Sequence, residues 1–84
     1  MSKHDKLVAR LRAKPKDFTY REAISLLEGL GYQEATRGKT GGSRRRFKHA
    51  TAATIYLHKP HPRDVLKPYQ VRDILDTLEQ EGLV

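Results

Sequence analysis

Apolar residues recur at helical spacing near the start of this chain. Leu7, Val8 and Leu11 stand between charges and predict a helix over 3–13. Lys14-Pro15-Lys16-Asp17 ends it, because proline disfavours helical backbone in the residue before it. The next start is marked by Thr19-Tyr20-Arg21-Glu22, a capping box in which Thr19 and Glu22 satisfy each other's backbone N–H groups. Ala23, Ile24, Leu27 and Leu30 continue as one apolar stripe, and Gly29 and Gly31 supply a stop, which predicts a helix over 20–29.

The pattern then changes to a period of two. Tyr32 to Arg37 reads as a weak strand, Gly38-Lys39-Thr40-Gly41-Gly42 as a turn, and Ser43 to His49 as a second strand. Ala50-Thr51-Ala52 connects to a third strand, Ala53 to His58, where Ile55 and Leu57 alternate with Thr54, Tyr56 and His58. Pro60 and Pro62 make His58 to Lys67 a loop. Pro68 suits the first turn of a last helix, with Val71, Ile74, Leu75 and Leu78 as its buried stripe and Gly82-Leu83 as its C-terminal cap. The expected fold is α+β: helix, helix, three antiparallel strands and helix, with one sheet packed against helices.

Strand parity sorts the middle by face. Phe47 is the bulky apolar residue of the second strand, so it points to the core with Ile55 and Leu57. That sends Arg44, Arg46 and Lys48 to the open face, which Tyr56 and His58 share on the neighbouring strand. A slip of one residue would bury cations. His49 falls on the core-facing parity at a strand end.

Charge sharpens this picture. The chain carries a net +7 over 84 residues, and residues 36–67 hold nine Lys/Arg against the single acid Asp64. The stretch 68–84 is acidic instead, with Asp73, Asp76, Glu79 and Glu81 against Arg72. Excess lysine alone would suit solubility, but clustered arginine on a strand suits phosphate. Cysteine is absent, which excludes a disulfide framework and thiolate metal sites. The apolar runs are too short for a membrane span or signal segment, so a soluble, cytoplasmic protein is expected.

The chemistry these residues support is RNA handling. Metal-free ribonucleases need a base for the 2′-hydroxyl, an acid for the leaving 5′-oxygen and cations for the crowded phosphorane. His49, His58 and His61 lie close in sequence to Arg44, Arg45 and Arg46. No Asp or Glu cluster occupies 36–63 to hold magnesium, and His58-x-x-His61 supplies at most two zinc ligands. No metal or other cofactor is therefore expected. Arg44, Arg45, Arg46, Lys48, Lys39, Tyr56 and Lys59 are the candidate RNA-binding residues, Tyr56 by stacking.

Leu26-Leu27-x-x-Leu30-Gly31-Tyr32, Thr40-Gly41-Gly42-Ser43-Arg44-x-Arg46-Phe47 and Ile55-x-Leu57-His58-x-Pro60-His61-Pro62 come in a recognisable order. Leu66-Lys67-x-Tyr69-Gln70-Val71 and Leu78-x-x-x-Gly82-Leu83 follow. Together they resemble the HicA family of toxin–antitoxin toxins. The resemblance implies a double-stranded-RNA-binding-domain-like α-β-β-β-α domain over 19–84, preceded by an N-terminal helical extension over 1–18. It implies mRNA cleavage and neutralisation by a HicB-type antitoxin. Many members carry the catalytic histidine just after the Gly-Ser turn, where this chain has Arg44. Arginine is a poor general base but can hold phosphate. His58, His61 and Arg44 are accordingly the catalytic candidates. An RNA-binding module with little cleavage, or a protein whose basic face docks an antitoxin, are the alternatives.

Overall fold

The computed structural model describes residues 3–35, 44–60 and 63–84. Helix α1 (Lys3–Arg12) leads into α2 (Tyr20–Gly29), strands β1 (Gln33–Glu34), β2 (Arg44–Lys48) and β3 (Ile55–His58), and helix α3 (Pro68–Gln80). The strands form one antiparallel sheet in the order β1-β2-β3, and the helices pack on it, an α+β arrangement of the expected double-stranded-RNA-binding-domain-like kind. The turn at 38–42, including Lys39, lies outside the described residues, as do Ser43, His61 and Pro62.

The helix ends follow from local chemistry. The Thr19 hydroxyl accepts from the Glu22 N–H at 3.0 Å, and the Glu22 carboxylate accepts from the Thr19 N–H at 3.0 Å. Gly31, at φ +100°, takes the left-handed turn that stops α2, and the Tyr32 N–H closes it on the Leu27 carbonyl at 2.9 Å. Gly82 does the same after α3, at φ +72°, with Leu83 N–H on the Leu78 carbonyl at 2.9 Å.

One core unites the elements. Phe47, Leu11, Phe18, Leu26, Leu27 and Leu78 have no exposed surface, and Ile55, Leu57 and Leu66 are buried among them. Helix α1 and the turn after it are part of this core, through Leu7, Leu11 and Phe18. Arg10 of α1 also reaches Glu22 at 2.8 Å, which draws the Glu22 carboxyl below its ordinary range. The segment 18–20 runs against 64–66: the Tyr20 N–H meets the Asp64 carbonyl and the Leu66 N–H the Phe18 carbonyl, each at 2.8 Å. The long loop after β3 is thereby stitched to the start of α2.

Strand β3 begins later and β2 ends earlier than the alternation predicts, for side-chain reasons. The Tyr32 hydroxyl donates to the Ala53 carbonyl at 2.8 Å, and β3 begins two residues later. Strand β2 stops at Lys48 because His49 turns its ring into local hydrogen bonds. Among the described residues, no helix is long and apolar enough to cross a membrane.

Candidate nucleic-acid interface

The register of β2 on β3 builds the outward face. Phe47 opposes Ile55 and Arg45 opposes Leu57; Arg46 opposes Tyr56 and Arg44 opposes His58. Cβ atoms of directly opposed residues lie about 5 Å apart, so each such pair acts as a unit. The apolar pair Phe47–Ile55 is buried, so the Arg46–Tyr56 pair stands on the other side. Tyr56 is 56% exposed there, and His58 and Lys48 are exposed as well. Arg46 is half-buried, its Nη2 donating to the Ala35 carbonyl at 3.3 Å, which braces the guanidinium against the end of β1.

Arg45 belongs to a different environment. It shares the helix-facing side with Leu57, where its Nη1 lies 3.6 Å from Glu34 Oε2. It also bonds the Tyr20 hydroxyl, whose pKa is nevertheless raised, by burial first and by the Glu34 charge second. The arginine run therefore divides between two faces, and Arg45 is not brought together with Arg46, Tyr56 and His58.

The histidines divide too. The His49 ring is half-buried and fully engaged: Nε2 lies 3.0 Å from the Leu30 carbonyl, and Nδ1 accepts from the N–H groups of Thr51 and Ala52 at 3.1 Å each. This network assigns the proton to Nε2. Its ring also tilts against Tyr32 with centroids 5.0 Å apart, so His49 joins the end of α2 to the β2–β3 connection. His58 is different: its ring is exposed at the end of β3, while its backbone is anchored.

That anchor is Gln70, a buried polar side chain in the first turn of α3. Its Nε2 donates to the His58 carbonyl at 3.2 Å and its Oε1 accepts from the Lys67 N–H at 2.9 Å. The amide thus satisfies one orphan N–H of the helix start and holds the end of β3 with the same group. Sequence reasoning quoted this residue in a family motif but missed its role. The signal was a glutamine at the third helical position after Lys67-Pro68, half of a capping pattern without the usual hydroxyl partner.

Tyr69, next to Gln70 and 50% exposed, likewise stood in the family motif without being named as a site residue. A small groove of about 210 Å³ between β3 and α3 is lined by Tyr56, His58 and Tyr69, among others. Lys59 follows His58 into a wider concavity that adjoins this groove. Among the described residues, no group of three or more His, Cys, Asp or Glu side chains is arranged to hold a metal ion.

No curated protein and no solved structure matches the chain significantly. A family model described as the HicA toxin of bacterial toxin-antitoxin matches residues 20–83. That span takes in α2, all three strands, α3 and the Gly82 cap. With so much of its length inside the match, this chain belongs to the HicA family of toxins of toxin–antitoxin systems.

Proposed function

We propose that the protein is an endoribonuclease that inhibits translation by cleaving mRNA, without a metal ion, on the outward face of its sheet. The observation that carries this reading is the cross-strand register, with Arg46 beside Tyr56 and Arg44 opposite an exposed His58. In the proposed reaction the 2′-oxygen attacks the adjacent phosphorus and the P–O5′ bond breaks, leaving a 2′,3′-cyclic phosphate and a free 5′-hydroxyl. One imidazole of His58 and His61 takes the 2′-hydroxyl proton, and the other protonates the departing 5′-oxygen. Arg44 and Arg46 hold the phosphate and neutralise the charge that develops on it, and Lys48 and Lys59 guide the strand. Tyr56 stacks on a base.

A HicB-type antitoxin is the proposed partner. An acidic surface on it would meet the same basic face, which would both speed the encounter and occlude His58.

The test is direct. Antitoxin-free protein should cleave a single-stranded transcript in EDTA, and the double variant H58A/H61A should lose this while its melting curve is retained. Cleavage at the wild-type rate by that variant would remove both histidines from the chemistry. A second reading, RNA binding with little cleavage, is favoured by Arg44 at the position where many members of the family carry histidine. It expects salt-dependent RNA binding with intact RNA after long incubation, and a gain of cleavage in R44H.

A further inference from the structure

A concavity of about 670 Å³ opens beside His58, adjoining the groove that Tyr56 lines. Its size is that of a small-molecule site, large enough for a nucleotide unit rather than a lone phosphate. Lys16, Lys59, Arg63 and Lys67 line it, and Tyr69 and His58 are shared with the groove on the sheet side. Asp17 is the one carboxylate among the described lining residues, and Arg10 holds it at 3.2 Å, so the wall is strongly positive.

The position of these cations is set by the fold. The antiparallel contact of 18–20 with 64–66, over buried Phe18 and Leu66, brings Lys16 toward Arg63 and Lys67. Lys16 and Asp17 precede the family-matched span 20–83, so this part of the wall comes from the chain's own N-terminal region. Tyr56 and Tyr69 are the large apolar side chains left exposed among the described residues, and both line the groove that holds His58. Exposed rings suit unstacked bases, whereas a duplex is tracked by shape and phosphate contacts.

We infer that this concavity is a subsite for single-stranded RNA. It receives the stretch of strand that continues past His58, its phosphates on Lys16, Arg63 and Lys67 and a base against Tyr69. The inference rests on the catalytic reading above for the direction of the strand. An acidic segment of a protein partner is the competing occupant; the two tyrosines favour RNA.

The experiment measures fluorescence anisotropy of labelled, non-cleavable 2′-O-methyl RNAs of about 4 and about 12 nucleotides over a salt series, with wild type and with K16E/R63E/K67E. All three side chains are exposed, and Lys67 contributes only its backbone N–H to the Gln70 contact, so the variant keeps the fold; matching melting curves check this. Wild type should bind the longer RNA at least about tenfold more tightly. The variant should lose most of that gain, and its log–log salt slope should shallow by about 2, near 0.7 for each phosphate that is no longer neutralised. An unchanged length gain and slope overturns the subsite, and unchanged RNA binding with weakened capture of a poly-glutamate peptide reassigns it to a protein. Failure of wild type to cleave RNA, with the length gain intact, overturns only the catalytic reading.

Discussion

Replacing Gln70 by alanine removes two hydrogen bonds from the junction between β3 and α3. The Lys67 N–H loses its acceptor at 2.9 Å and the His58 carbonyl its donor at 3.2 Å. Each contributes about 1 kcal/mol net, and a partly buried carbonyl left without a partner costs more than one left in water. The freed rotamer entropy and the better helix propensity of alanine return part of this. The expected loss is about 2 kcal/mol, which for a domain of this size lowers the melting temperature by roughly 8–16 °C. Thermal and urea unfolding followed by circular dichroism measure it. Gln70→Glu separates the two roles. The carboxylate still accepts from the Lys67 N–H and suits a helix N-terminus, but it can no longer donate to the His58 carbonyl. Q70E should therefore be more stable than Q70A yet cleave RNA more slowly than wild type, through kcat rather than KM. If Q70A melts within about 3 °C of wild type, or Q70E cleaves at the wild-type rate, Gln70 does not position His58.

Three further outcomes follow from the same geometry. H49A should lose about 2–3 kcal/mol in urea unfolding because its ring satisfies three backbone groups, whereas H58A, exposed, should stay within about 0.5 kcal/mol of wild type. G31A should cost about 1–3 kcal/mol in the same assay, since a side chain at φ +100° is strained and its Cβ would meet the His49 ring at 3.0 Å. The folded-state pKa of Glu22 lies below its ordinary value through the Arg10 hydrogen bond, so its stabilisation is complete above that value and is lost as pH falls through the depressed one. The stability gap between wild type and E22Q should accordingly shrink on acidification from neutral pH to about pH 3, and a gap that stays constant would show that the ion pair contributes nothing to it.

What could be read in advance was whatever a short window of chain decides. Thr19 and Glu22 sit three apart and cap α2 without help from elsewhere, so that boundary was visible. Phe47 is the lone bulky apolar residue of β2, and its parity alone oriented the sheet with Arg46 and Tyr56 outward. Arg45 was an RNA-binding candidate by its place in the arginine run; its pairing with Leu57 and its Glu34 and Tyr20 partners, from β1 and α2, were not legible there. Gln70 and Tyr69 were invisible as site residues for a similar reason. Nothing in Lys67-Pro68-Tyr69-Gln70 says that the end of β3 arrives at that helix start. The basic concavity needs residues 16 and 63–67 together, a proximity created by backbone pairing across the intervening elements.

The most direct measurement of where RNA meets this molecule is amide chemical-shift mapping by NMR with a short, non-cleavable single-stranded RNA. The outward-face account predicts the largest shifts at Arg46, Tyr56, His58 and Lys59, with Arg45 and Tyr20 little moved. Shifts concentrated instead on the acidic outer surface of α3, around Asp76 and Glu79, with the β2–β3 face unchanged, would contradict it.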